Sequence, residues 1–479
     1  MLRRSLAVAL AWILLLCGGT AGDTQAGELL VGAASADITP GQPVALDGQF
    51  ELRISKKVDT PITANVLALE SREGERSLDA AVMVSCDLVA VSDQLLDGVR
   101  RAVEKRVPDF DRKKLFLSAT HTHTAPVTRP GVYQIPKTGA MQVEDYCALA
   151  AERIGAAIEK AWNERQPGSF TWGLGHAAVA ENRRALYADG RAVMYGKTND
   201  PAFRGLEGYE DHDVGTLFFW DAPGKLLAIA VNVSCPSQEV EHLSQINADF
   251  WHPVRESLHK RYGQHVCVLG WAGAGGDQSP HLMYRKTAEE RMRSLRKLTR
   301  LEEIARRIVA AVDETFEAVQ NDRHAGVPLV HRVETLQLPQ RLVTDAEYAE
   351  VKAAIAAEKP TQMRSEWHKE VLERYERQKA EPRGAAETEI HVLRIGDVAV
   401  CTNPFELFSD YGVAIKARSR AAQTFVIQLV AGGPFCYLPT ERAVRGGGYS
   451  AIVQSNLVSP KGGQVLVDET VKCINRLWP

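Results

Sequence analysis

The sequence predicts an α/β protein: one large domain of mixed, mostly parallel sheets, built from repeated β-loop-α-β units with polar motifs at the strand C-terminal ends. Three observations predict this. First, three separated stretches share one layout of apolar strand, polar loop, helix, apolar strand and polar loop. Second, every unusual polar cluster ("SATHTH", "VSCPSQ", "GAGGDQSPH", "TNPFE", "CYLPT") falls at such a strand end, where ligands collect in sheets of this kind. Third, 479 residues at 45% apolar content can bury a core of that size.

Taken in order, residues 1–26 read as a signal peptide. Arg3 and Arg4 make a positive n-region, Leu6 to Cys17 a short apolar stretch, and Thr24-Gln25-Ala26 a small-residue cleavage site. An uncleaved anchor is the alternative. Leu16 fits poorly before a lipoprotein cysteine. Residues 27–479 then form the mature domain, exported to the periplasm or secreted, with no later stretch apolar enough to span a bilayer. The first unit runs from "AAVMVSCDLVAV" to "ATHTHTAP", with a helix over 91–107. The second runs from "LLAIAVNVSCP" to "GAGGDQSP", with a helix over about 249–262. Residues 285–320 form one long charged amphipathic helix or two, and 344–385 are helix-prone with a break at Pro360. The third unit runs from "DVAVCTNPFELF" to "FCYLPT". Seven cysteines remain after cleavage, with no CxxC pair, so they read as buried thiols rather than a disulfide scaffold. A net charge of −3 and a pI near 6.5 argue against nucleic acid as a partner.

Several residues invite chemistry. His121 and His123 share a face if their segment is extended, and neutral imidazole is the commonest protein metal ligand. A wet loop without function is the alternative. Glu406, at the end of an apolar strand, must be paired, liganded or solvated, or sit at a helix N-terminus. "GAGGDQSPH" permits close backbone approach or an anion-binding nest, and equally a plain turn. It is neither a GxxxxGK[ST] phosphate loop nor a GxSxG elbow. Tyr437 and Tyr449 flank a glycine run, and Arg183 and Arg184 are adjacent cations.

Together, "VGAASADITP", "THTHTAP", "GDQSP", "NPFE" and "YLPTERAVRGGGY" resemble, in order and over nearly the whole mature chain, the catalytic domain of the neutral/alkaline non-lysosomal ceramidases. The resemblance implies a Zn2+ site with His121, Glu406 and Tyr437 as ligands, His123 beside the metal, Ser279 as the catalytic serine, and Arg183 and Tyr449 lining the substrate pocket. It departs from the family twice. Cys235 stands where a ligand histidine precedes proline, so the expected fourth ligand is the Cys235 thiolate, with Glu239, His242 or His252 as substitutes. The family's C-terminal β-sandwich domain is also not expected after the tyrosine motif. The implied activity is hydrolysis of an N-acyl (amide) bond by metal-activated water, on a small-molecule amide with lipids among the candidates. A non-lipid amide or ester, or a non-catalytic exported binding protein, are the alternatives.

Overall fold

A computed structural model describes residues 26–357, 362–382 and 384–478. The expected signal peptide lies outside the described residues except for Ala26, as does Pro360. Eight strands form the larger sheet: β1 (Gly27–Asp37), β2 (Thr63–Glu73), β3 (Arg76–Cys86), β4 (Leu115–Ala119), β5 (Gln166–His176), β6 (Asp213–Asp221), β7 (Leu226–Val233) and β8 (Cys267–Ala272). Their order is β8-β7-β6-β5-β1-β2-β3-β4, and Gly326–Val327 adds a short ninth strand beside β1. A second sheet orders β9 (Leu329–Pro339), β10 (Ala385–Ile395), β11 (Val398–Thr402) and β12 (Gln423–Ile427) in sequence.

The two sheets stack face to face, and helices cover both outer faces. Side chains alternate along each strand, so β2 sends Leu67 and Leu69 toward Leu393, Ile395 and Val400 of the second sheet. Its Ala64, Val66 and Ala68 face helices α1 (Asp93–Arg106) and α2 (Val143–Asn163) instead. The β6–β7 end is covered by α3 (Trp251–Tyr262) and, beyond α4 (Lys286–Arg296), by α5 (Arg300–Val319). The charged stretch 285–320 is therefore two helices, separated at Lys297 in the left-handed region (φ 58°). Thr299 and Glu302 form a capping box that starts α5. Residues 344–385 supply α6 (Asp345–Ala357) and α7 (Gln362–Ala380). The outer face of the second sheet is packed by α8 (Ser409–Arg418) and the helix Pro460–Asn475.

All three expected β-loop-α-β units form, and each yields one parallel pair: β3–β4, β7–β8 and β11–β12. The balance between directions differs from expectation, because the remaining pairs within these two sheets are antiparallel. Tight turns at Gly74 (φ 60°), Gly224 (φ 93°) and Gly396 (φ 56°) join β2–β3, β6–β7 and β10–β11, and so short a link permits only a hairpin. A continuous apolar run reports burial on both faces; here stacked sheets and helices produce that burial without a parallel sheet. The seven cysteines among the described residues are free thiols. No helix among the described residues is long and apolar enough to cross a membrane.

Candidate active site

Backbone hydrogen bonds stitch together the loops that follow the parallel-paired strands. Ser237 N–H donates to Thr120 O and His123 N–H to Ser237 O, joining the loops after β4 and β7. Gly276 N–H donates to Leu407 O at 2.8 Å, and Gln428 N–H to Ala272 O, joining those after β8, β11 and β12. Glu406 and Tyr437 are register partners in a short parallel pair of strands. Residues roughly 300 positions apart in the sequence thereby share one small volume.

His121 sits just past β4 with φ 66°. A non-glycine residue held there costs on the order of 1 kcal/mol or more and persists only when its surroundings fix it. Thr120 N–H to Cys86 O and Thr122 N–H to Leu88 O do so. The His121 ring donates Nδ1–H to Val89 O at 2.9 Å. A carbonyl only accepts, so Nε2 of the neutral ring carries a lone pair. That lone pair faces Glu406 Oε2 at 3.3 Å and His123 Nε2 at 3.1 Å.

From there the contacts run on as a closed ring. His123 Nδ1 lies 3.0 Å from Glu241 Oε2, and Glu241 Oε1 lies 3.9 Å from His281 Nε2. His281 stacks on Tyr195 with centroids 5.4 Å apart. Tyr195 OH meets Ser279 Oγ at 3.0 Å, and the charge of nearby Arg183 partly offsets the effect of burial on the Tyr195 phenol. Arg183 donates to Tyr437 OH at 2.9 Å and to Gly276 O at 2.8 Å, and stands 3.9 Å from Glu406 Oε2. Tyr449 packs edge-on against Tyr437 at 5.6 Å. Phe50 and Trp367 extend this aromatic wall, lying 5.9 and 6.0 Å from the Tyr449 ring.

Seven of the eight expected site residues are brought together in this way. Cys235 is not. Its thiol points at the carbonyls of Val179 and Pro236, among Phe250, Trp251 and the other apolar side chains under α3. Nor do the expected substitutes join: Glu239 lies 3.6 Å from Arg300, His242 is exposed and His252 lies on α3. The carboxylate that does reach the ring is Glu241, which sequence reasoning missed together with Tyr195, Gln238 and His281. These lie in loops with no periodic pattern, and only the folded path of the chain brings them to the site.

Arg53, also missed, fastens the ring's outer side. Its guanidinium donates to the carbonyls of Glu241 (2.6 Å), Leu243 (2.5 Å), Asp47 (2.6 Å) and His123 (2.7 Å). The glycines of "GAGG" serve close packing. A Cβ on Gly276 would lie 2.2 Å from Glu406 O, and one on Gly273 2.6 Å from Ser234 Oγ. Arg184 is structural: buried, it binds Glu207 and the carbonyls of Ala443 and Gly447, anchoring the loop that carries Tyr449.

The electrostatics follow from this packing. Burial would raise the Glu406 carboxyl, but His121, when a proton sits between its Nε2 and the carboxylate, and then Arg183 hold it below the ordinary range. Burial likewise opposes Glu241, which the hydrogen bond from His123 holds below the ordinary carboxylate range. Burial lowers His123 more than Glu241 raises it, so the ring is neutral near pH 7. Tyr449, pushed up to about 12 mainly by burial, keeps its hydroxyl proton. Ser279 Oγ accepts from Gln238 Nε2 (3.2 Å) and His281 N–H (3.1 Å). His281 Nε2 is engaged with Gln238 O at 2.8 Å, so no base among the described residues is hydrogen-bonded to the serine.

The donor set of His121, Glu406 and Tyr437 suits Zn2+ in kind. In a tetrahedral zinc shell with bonds near 2.0–2.1 Å, adjacent ligand atoms lie about 3.3–3.4 Å apart, and His121 Nε2 and Glu406 Oε2 are 3.3 Å apart. The lone pair of His121 facing that carboxylate calls for a proton or a cation between them. No group of three or more His, Cys, Asp or Glu side chains among the described residues is itself arranged to hold a metal; a His–Glu–Tyr set contains two of those types.

No family model matches the chain, and no curated protein does. Solved structures do. A ceramidase complexed with C2 is similar over 94% of this chain and 76% of its own, with a TM-score of 0.67 at 16% identity. The neutral ceramidase from Pseudomonas aeruginosa is similar over 94% of this chain and 75% of its own, with a TM-score of 0.68 at 18% identity. At such low identity the likeness is one of architecture, and it is nearly complete: this chain has the fold of the neutral ceramidases.

Proposed function

We propose that the protein is an exported zinc-dependent amidohydrolase that cleaves an N-acyl bond, as its fold relatives named as ceramidases suggest. The carrying observation is that an imidazole, a carboxylate and a phenol from distant segments meet in one buried site, beside a neutral second imidazole. His121, Glu406 and Tyr437 would hold the metal. Bound zinc would polarise the amide carbonyl and acidify a water molecule toward neutral pH.

The chain's own groups supply the remainder. Water's oxygen adds to the carbonyl carbon, the C–N bond breaks, and a proton must reach the departing amine nitrogen. His123 Nε2, neutral and next to His121, is placed to take the water's proton and return it to that nitrogen. Tyr449 OH and the buried Arg183 Nε, which has no hydrogen-bond partner, are donors for the developing oxyanion. Ser279, with no base beside it, acts through a hydrogen bond to the substrate rather than as nucleophile. The Phe50–Trp367–Tyr449 wall offers an apolar face to the acyl portion.

Metal analysis of the purified protein, with hydrolysis of a panel of amides and esters before and after chelation, tests the reading. One zinc per chain and chelator-sensitive amide cleavage are expected. In His121→Ala both should disappear. Full zinc occupancy in that variant would remove His121 from the site, and metal-free wild type without hydrolysis would leave a binding protein on this fold.

A further inference from the structure

His281 belongs to the ring and also to the wall of an open groove of roughly 780 Å³, bounded otherwise by Glu239, Leu282, Thr299 and residues of α4 and α5. Three cations line it: Lys286, Arg293 and Arg300. Arg293 is held by Glu290, one turn back on the same helix, through contacts of 2.5 and 2.6 Å. Arg300 donates to Pro280 O at 2.6 Å and lies 3.6 Å from Glu239. Lys286 is exposed and has no hydrogen-bond or ion-pair partner among the described residues.

The fourth feature is Glu239 itself. Its side chain is 17% exposed, and Oε2 is buried without a hydrogen-bond partner. Burial, only partly offset by Arg300, pushes its carboxyl up to about 8, so it is protonated at neutral pH and able to donate. The groove then carries three cationic side chains against two carboxyls, Glu290 and the raised Glu239. That surplus stands one side chain away from the ring, through His281 and Glu241. A cleft lined by one sign of charge concentrates the opposite sign. An apolar acyl chain has no use for the unpaired Lys286 ammonium with the Arg300 guanidinium on the same groove wall, whereas an oxyanion does.

We propose that this groove binds an oxyanion carried on the amine side of the substrate, so that the amide cleaved is acidic, an N-acyl amino acid or an N-acyl amine phosphate. The acyl portion then lies against the Phe50–Trp367–Tyr449 wall and the anionic end reaches Lys286 and Arg300. That an amide is cut rests on the amidohydrolase reading; the ligand's charge rests on the groove alone.

Three ligands sharing one acyl chain test this: N-octanoylglycine, N-octanoylethanolamine phosphate and neutral N-octanoylethanolamine. Binding is measured by calorimetry after chelation to stop turnover, and hydrolysis is measured without chelator, in wild type and in Lys286→Glu. At least one acid should bind about tenfold more tightly than the neutral amide. That preference should shrink several-fold in Lys286→Glu and in 1 M salt, while the variant's Tm stays unchanged. The two acidic arms distinguish carboxylate from phosphate. Equal binding of all three, or a preference that Lys286→Glu leaves intact, overturns the proposal. Acid-selective binding with no hydrolysis of any arm would keep the groove and remove the amidohydrolase reading. Hydrolysis of all three with equal affinity would do the reverse.

Discussion

Replacing Gly276 with alanine pushes a methyl group into the backbone of Glu406. The new Cβ would lie 2.2 Å from the Glu406 carbonyl oxygen and 2.6 Å from its carbonyl carbon, against ordinary contact near 3.5 Å. The obstacle is backbone, so no side-chain rotation relieves it, and Gly276 N–H is tied to Leu407 O at 2.8 Å. The two segments must part by about 1 Å. Overpacking of this kind costs about 1–3 kcal/mol. Unfolding entropy of about 2.1 cal/mol/K per residue sums to roughly 1 kcal/mol/K over 479 residues, so Tm should fall by only about 1–3 °C. The chemical effect is larger, because Glu406 shifts relative to His121 Nε2, now 3.3 Å away. A misplacement of about 1 Å costs around 100-fold in rate. Scanning calorimetry and amide turnover measure the two effects. Gly41→Ala is the control, since nothing lies within 4 Å of its Cβ position. A Gly276→Ala protein with unchanged Tm and turnover within twofold of wild type would refute the close approach of these loops.

Glu241→Ala removes the carboxylate beside His123 Nδ1, 3.0 Å away. Turnover should fall about 10- to 100-fold while bound metal, measured by elemental analysis, stays constant. Cys235→Ser should likewise keep its metal, because the thiol faces the Val179 carbonyl at 3.7 Å; a metal-free variant would return Cys235 to the ligand set. Glu239 supplies a pH dependence. Its folded carboxyl is raised from 4.5 to about 8, so its contribution to stability is complete below 4.5 and is lost as pH rises through 8. Glu239→Gln should match wild type in stability at pH 4.5 and exceed it at pH 9 by about 1 kcal/mol or more, read as a higher Tm. Identical Tm profiles would show that the carboxyl ionises normally.

The sequence by itself determined the three β-loop-α-β units and the strand ends at which chemistry gathers. Apolar runs such as "AAVMVSC" bury whichever partner they find, and the polar residues that follow cannot stay in the core, so both signals are local. It also supplied His121, Glu406 and Tyr437, whose motifs are short and contiguous. Pairing direction was not legible, because two buried faces look alike in parallel strands and in stacked antiparallel ones. Tertiary structure alone decided that Glu241 rather than Glu239, two residues earlier, faces His123, and that Cys235 turns under α3. Neighbouring residues in an irregular loop have no fixed period, so which side chain points inward depends on what the rest of the chain places around it. The charge of the groove was likewise out of reach, since Lys286, Arg300 and Glu239 become one surface only when α4, α5 and the loop after β7 are packed together.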